Sequence, residues 1–128
     1  MKASRMHDNL SAYAKGVLGE AAVCDRLTDG GMELLERRFR SPFGEIDLIM
    51  LDGDGVAFVE VKLRTDRRLA PARQFVTPAT QRKVRIAAQY YLLDHPTDLQ
   101  PRFDVIEVYA PQGAGTARPE IRHWADAF

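Results

Sequence analysis

The chain has 128 residues, 45% of them hydrophobic, and 18 basic side chains balance 18 acidic ones. This length and composition suit one compact domain with an adequate apolar core. Because the net charge is zero, the chain as a whole does not attract polyanions. Any nucleic-acid site must therefore come from a local concentration of basic residues.

Cysteine content and the N-terminus restrict the cellular setting. Cys24 is the only cysteine, which excludes an internal disulfide and a thiolate zinc cluster. No apolar run approaches the roughly 20 residues that span a bilayer, and the N-terminus lacks the apolar region of a secretory signal. A cytoplasmic protein without a membrane partner is expected. Residues 1–10 are predicted to form a flexible arm and residues 11–128 a single domain.

The first predicted element is an amphipathic helix. Ser11 is its candidate N-cap, and Gly30 and Gly31 end it. Apolar residues recur between these points at spacings of three and four, as on one face of a helix. They are Tyr13, Val17, Leu18, Ala21, Cys24 and Leu27.

Three strands are predicted next, over residues 33–40, 45–51 and 56–64. Ser-Pro-Phe-Gly at 41–44 forms the first turn, and Asp-Gly-Asp-Gly at 52–55 is a strong hairpin signal.

A polar, basic loop over 65–76 leads to a second helix. Thr77 caps this helix, which runs to about Asp94. Its predicted packing stripe is Val84, Ala87, Ala88, Tyr91 and Leu92. Residues 102–110 form a fourth strand, and residues 121–124 are a candidate fifth. The order α-β-β-β-α-β predicts an α/β fold with a central mixed sheet flanked by helices, in which the helical crossover makes strands three and four parallel.

Side chains alternate along a strand, so the third strand presents Phe58, Glu60 and Lys62 on one face. The residues of the other face are Ala57, Val59, Val61 and Leu63. Because that second face is wholly apolar, it is interpreted as the core.

The hairpin register brings a second acid opposite Glu60. If Leu51 pairs with Val56 across the turn, the same register places Asp47 opposite Glu60. Facing carboxylates repel unless a proton, a lysine or a divalent cation compensates. Mg²⁺ (or Mn²⁺) suits such carboxylate oxygens, and Lys62 can orient or deprotonate an attacking water or offset charge on a phosphoryl group. Asp47 and Glu60 are therefore predicted metal ligands and, with Lys62, catalytic residues.

Two alternatives stay open. The constellation can instead be a Glu60–Lys62 or Asp47–Lys62 ion pair on a solvated sheet face. Glu20 lies on the apolar stripe of the first helix, where acids are rare without a partner. It either reaches water at the edge of the stripe or directs its carboxylate to the metal as a further ligand and catalytic group.

Positive charge is concentrated beside these acids. Between Lys62 and Arg85 there are eight basic residues and one acid, Asp66. Basic side chains so placed suit a phosphate backbone, although a solvated loop and helix face is the ordinary alternative. The predicted nucleic-acid-binding residues are Arg64, Arg67, Arg68, Arg73, Arg82, Lys83 and Arg85.

Three motifs occur in a characteristic order: G-x-x-G-E at 16–20, G-E-I-D-L-I at 44–49 and F-V-E-V-K at 58–62. In combination they resemble the YraN-like family, an uncharacterised branch of the restriction-endonuclease-like PD-(D/E)XK superfamily. The resemblance runs from about residue 12 to residue 110.

The superfamily pattern, an acid, a gap and then acid-x-Lys, matches Asp47, Glu60 and Lys62, and its helix-one glutamate matches Glu20. The resemblance implies a restriction-endonuclease-like fold, a divalent metal, and similarity to archaeal Holliday-junction resolvases, which are homodimers acting on branched DNA. A metal-dependent DNA endonuclease is therefore expected. The alternative is a nucleic-acid-binding or interaction module of the same fold without turnover.

Overall fold

The computed structural model describes residues 19–64, 76–111 and 119–128. Its strands are β1 (Glu33–Ser41), β2 (Gly44–Asp52), β3 (Gly55–Arg64), β4 (Gln100–Tyr109) and β5 (Glu120–Trp124). Helix α1 occupies residues 19–29 of the described part, and α2 spans Pro78–Asp94. The predicted order of elements is confirmed, including the fifth strand. The predicted arm over 1–10 and the cap at Ser11 lie outside the described residues, as does most of the basic loop.

The five strands form one mixed sheet in chain order, β1-β2-β3-β4-β5. β1 and β2 are antiparallel, and so are β2 and β3 and also β4 and β5. β3 and β4 are parallel, as the helical crossover predicted. In the β2–β3 hairpin Leu51 pairs with Val56 and Asp52 with Gly55, so the register expected from the turn is confirmed.

Both helices use the predicted end signals. Gly31 has φ 99, and the NH of Met32 reaches back to the carbonyl of Leu27 at 3.0 Å, which closes α1 in a left-handed C-cap. The hydroxyl of Thr77 accepts a 3.2 Å hydrogen bond from the NH of Thr80 at the start of α2. In the described part of the chain, neither helix is long and apolar enough to cross a membrane.

The sheet is buried on both faces, which corrects the interpretation of a single core face on β3. Ala57 and Val59 pack with the α1 residues Val23, Cys24 and Leu27. On the other face Phe58 and Val56 pack under α2 with Val84, Ala87, Ala88 and Tyr91. Phe58 is fully buried, so the face that continues to Glu60 and Lys62 begins as core. Glu60 therefore lies two residues beyond a fully buried position on the same face of β3.

Candidate functional site

The two predicted acids meet where the β2–β3 ladder ends. Regular pairing stops at Leu48 and Val59, and Asp47 is the next residue of β2. Its Oδ2 accepts a 2.7 Å hydrogen bond from the backbone NH of Val61. The carboxyl groups of Asp47 and Glu60 are also hydrogen-bonded to each other. The Asp47 side chain thus lies between the two strands, in contact with Glu60.

Burial raises the pKa of both carboxyl groups. The charge of Asp47 adds to burial and raises the pKa of Glu60 to about 8, against the opposing effect of the Lys62 ammonium. The pKa of Asp47 is also raised by burial, although the Val61 NH and the hydrogen bond with Glu60 oppose the change. Near neutral pH in the metal-free protein, Glu60 therefore keeps its proton and donates a hydrogen bond to Asp47.

Lys62 completes the constellation that the strand alternation predicted. Its Nζ lies 3.7 Å from Oε1 of Glu60. The Glu60 side chain is only 14% exposed, whereas that of Lys62 is 34% exposed. The ammonium group is therefore accessible to a substrate that approaches Asp47 and Glu60.

Glu20 is buried at the described start of α1, so it does not reach into water as one alternative had it. Both its oxygens accept from Arg38, at 3.0 Å from Nε and 3.3 Å from Nη2. Burial and then the charge of Asp47 raise the pKa of Glu20, while Arg38 lowers it. Glu20 is thus within electrostatic range of the acid pair, and its oxygens are bound by a guanidinium.

Arg38 was not singled out in the sequence, although a buried Glu20 requires a cationic partner. β1 and β2 pair Arg37 with Leu48 and Phe39 with Ile46, which brings Arg38 level with Asp47. Arg38 has φ 51, a left-handed conformation that is rare for a non-glycine residue. Such strain is typical of positions that the surrounding structure holds for function.

The left-handed backbone at Arg38 gives a testable result. Arg38→Ala and Arg38→Gly both remove the partner of Glu20, but glycine adopts positive φ without a Cβ penalty. We expect both variants to lose about 2 kcal/mol or more of unfolding free energy, with the glycine variant about 1 kcal/mol more stable than the alanine variant. Urea denaturation measures the difference; equal stabilities of the two variants would contradict backbone strain at this position.

The acid pair offers the oxygen donors that a small divalent cation prefers. Across residues 19–64, 76–111 and 119–128, no three His, Cys, Asp or Glu side chains converge as a ready-made ligand group. Asp47 and Glu60 form a pair of half-buried oxygen donors that repel each other when both are ionised. Mg²⁺ takes one or two protein carboxylates and keeps several waters. The pair therefore fits Mg²⁺ or Mn²⁺, and Glu20 would join it only after leaving Arg38.

The predicted nucleic-acid-binding residues occupy different surroundings. Arg64 lies 3.9 Å from Glu107 and is mostly buried, and Arg85 stacks over the ring of Phe103 at 4.8 Å. Arg82 and Lys83 are exposed on the first half of α2. The remaining predicted residues, Arg67, Arg68 and Arg73, lie outside the described residues. Three of the described cations, Arg82, Lys83 and Arg85, are thus exposed, and Arg64 is engaged with Glu107.

α2 lies against the start of β2. A Cβ added at Gly44 would stand 2.9 Å from the carbonyl oxygen of Lys83. Only glycine allows this close approach of the helix to the strand. The contact places Lys83 beside the start of the strand that carries Asp47.

A second polar cluster surrounds Asp104, which is fully buried in β4. Its carboxylate accepts from Arg102 at 3.0 Å, from His123 Nε2 at 2.8 Å and from the NH of Asp126 at 2.9 Å. Arg102 also donates to Asp52 at 2.8 Å. Through these contacts Asp104 and Arg102 tie the C-terminal strand to the hairpin turn.

Comparison with known proteins places the chain in a family. The model of "Uncharacterised protein family UPF0102" matches residues 19–108. The chain is 38% identical over 116 residues to a UPF0102 protein of Rhodococcus jostii (strain RHA1), covering 90% of this chain and 96% of the relative. It is 41% identical over 115 residues to a UPF0102 protein of Chlorobium chlorochromatii (strain CaD3), covering 88% and 89%. The protein therefore belongs to UPF0102, the YraN-like family, and the matched segment contains the Glu20, Asp47, Glu60 and Lys62 constellation.

Proposed function

We propose that this protein is a divalent-metal-dependent nuclease that hydrolyses phosphodiester bonds in DNA. The observation that carries the proposal is the half-buried, mutually hydrogen-bonded pair of Asp47 and Glu60, with the Lys62 ammonium 3.7 Å from Glu60. Its order in the chain matches the acid, gap, acid-x-Lys pattern of the PD-(D/E)XK superfamily. The similarity to Holliday-junction resolvases favours branched DNA as the substrate.

Each residue has a distinct task in this reaction. Asp47 and Glu60 would hold the cation through carboxylate oxygens after Glu60 releases its proton. A bound divalent cation supplies positive charge that offsets the two carboxylates and polarises the phosphodiester. Lys62 orients the attacking water or offsets charge on the phosphoryl oxygens. The water oxygen forms a new bond to phosphorus and the ester P–O bond breaks, leaving a phosphomonoester and a free hydroxyl.

A second candidate function is a nucleic-acid-binding or interaction module of this fold without turnover. The bidentate Arg38–Glu20 contact favours it, because both oxygens of a predicted ligand are already engaged. This candidate predicts DNA binding that strengthens at low salt, no cleavage, and the same affinity in Glu60→Gln as in the unsubstituted protein.

A cleavage assay tests the two candidates. We expect the purified protein, with Mg²⁺ or Mn²⁺, to cut a four-way junction better than flap, duplex or single-stranded DNA, and we expect EDTA to stop the reaction. Asp47→Asn protein prepared in parallel should be inactive, which controls for a contaminating nuclease. Absence of cleavage on all four substrates with both metals would refute the nuclease proposal.

A further inference from the structure

The outer side of α2 carries an apolar stripe that faces solvent. Ile86 and Tyr90 are each 37% exposed and Leu93 is 77% exposed. Their spacings of four and three place them along one side of the helix. Phe43, which is 59% exposed in the β1–β2 turn, lies with its ring centroid 6.2 Å from that of Tyr90. Single exposed apolar residues are ordinary, but a contiguous patch of four marks an interaction surface.

The stripe has the spacing of a helix-pairing seam. Lys83, Ile86, Tyr90 and Leu93 follow one another at intervals of three, four and three. This is the a/d pattern by which one helix packs along another. We call these four residues the α2 seam. The buried side of α2 is already satisfied by the sheet, so the seam is a second, separate packing surface of the same helix.

The charges of α2 oppose the helix dipole. Its cations, Arg82, Lys83 and Arg85, all lie in the N-terminal half, and its acid, Asp94, is the last helical residue. The first turn has no acid and the last turn has no base. The helix dipole is therefore left uncompensated by charge at both ends, and Asp94 at the C-terminus is unfavourable within one helix. The same distribution is self-complementary when two such helices run antiparallel.

We propose that the α2 seam binds a second copy of this chain, with the two α2 helices antiparallel about a two-fold axis. When Ile86 of each helix lies level with Tyr90 of the other, Leu93 covers the aliphatic stem of Lys83 across the interface. Lys83 also comes level with Asp94 of the partner subunit. Both residues lie on the same flank of the seam, which is the geometry of side-chain pairing between antiparallel helices. The contact occurs twice because the interface is isologous.

The interface is small, and this sets the affinity. α2 has 17 residues, so the seam is about 25 Å long. A single helix pair with Phe43 at its edge lies at the low end of interface sizes. The dimer is therefore reversible, with a dissociation constant in the micromolar range or weaker. The inference depends on α2 and Phe43 and does not require nuclease activity.

Sedimentation equilibrium over a concentration series up to about 0.5 mM tests the surface. The unsubstituted protein is expected to dimerise with increasing concentration, and Leu93→Glu to stay monomeric. Leu35→Glu is the matched control, because Leu35 is an exposed leucine of β1 outside the seam, and it should dimerise normally. An unsubstituted protein that remains monomeric, or a dimer that Leu93→Glu leaves intact, would overturn the proposal.

A charge exchange in trans tests the antiparallel arrangement. Lys83→Asp alone faces Asp94 of the partner subunit with an acid, and Asp94→Lys alone faces Lys83 of the partner subunit with a base. Each variant alone should dimerise at least tenfold more weakly. An equimolar mixture restores both opposite-charge contacts, so a heterodimer of nearly unsubstituted affinity is expected. A mixture that dimerises no better than its components would refute the antiparallel pairing, and circular dichroism confirms that each variant is folded.

Discussion

Glu60→Gln is expected to reduce DNA cleavage by roughly 1000-fold, or about 4 kcal/mol of barrier, and at the same time to stabilise the metal-free protein above pH 8. Glutamine keeps the shape of Glu60 and can donate to Asp47, as the protonated acid does. It cannot supply the second carboxylate charge that a divalent cation requires. Opposite effects on activity and stability at one residue are typical of a site whose geometry serves function at a cost to the fold.

The pH dependence follows from the pKa of Glu60, which rises from its ordinary value of 4.5 to about 8 on folding. Between these values the folded protein keeps a proton that the unfolded chain releases. Stability therefore falls as the pH rises through this window, by roughly 5 kcal/mol in all. Glu60→Gln removes the proton uptake, so its stability should change little over the same range. Urea denaturation from pH 4 to 9 in EDTA measures both curves.

Metal binding should offset the loss of stability at high pH in the unsubstituted protein. Mg²⁺ or Mn²⁺ that binds the folded state raises the unfolding midpoint in proportion to the logarithm of its concentration. Glu60→Gln should lose this response, whereas the exposed carboxylate variant Glu33→Gln should retain it along with full cleavage. A metal response that persists unchanged in Glu60→Gln would exclude Glu60 as a ligand.

Asp104→Ala is expected to cost about 3 to 5 kcal/mol of unfolding free energy, because it leaves Arg102 and His123 without the buried carboxylate between them. Asp104 is fully buried and accepts from both side chains and from the NH of Asp126. The loss should also loosen β5 from β4, since His123 lies in β5. Urea denaturation at pH 7 measures the loss.

Substitution of the exposed acid of the same cluster should cost much less stability than Asp104→Ala. Asp52→Asn weakens an ion pair whose acid is 41% exposed, so it should cost less than about 1 kcal/mol. Burial alone would raise the pKa of Asp104, but hydrogen bonds from His123 and Arg102 hold it below its ordinary value of 3.8. The stabilisation that ionised Asp104 gives the fold is therefore present above about pH 4 and is lost as the pH falls through the pKa of the folded state. Asp104→Ala should accordingly flatten the acid limb of the stability curve, and an unchanged limb would contradict the assignment.

Much of this fold was predictable from the sequence because turns, helix caps and strand alternation are each determined within a few residues. The Asp-Gly-Asp-Gly turn determined the β2–β3 register and so the meeting of Asp47 and Glu60. Glycines at 30 and 31 ended α1, and Thr77 capped α2. Alternation along β3 placed Glu60 and Lys62 on one face. Each of these features follows from backbone geometry and turn chemistry that a short segment carries by itself.

Tertiary structure decided the partners of buried charges and the burial of the second sheet face. Whether Glu20 reaches water or a partner depends on how α1 packs on the sheet, and that packing brings it to Arg38. Asp104 is buried because β5 returns His123 and Asp126 to it across 19 and 22 residues. The sequence by itself determined the elements, their order and the Asp47–Glu60–Lys62 constellation. The environment of each acid required the assembled sheet, because burial and ion pairing depend on residues that only folding brings together.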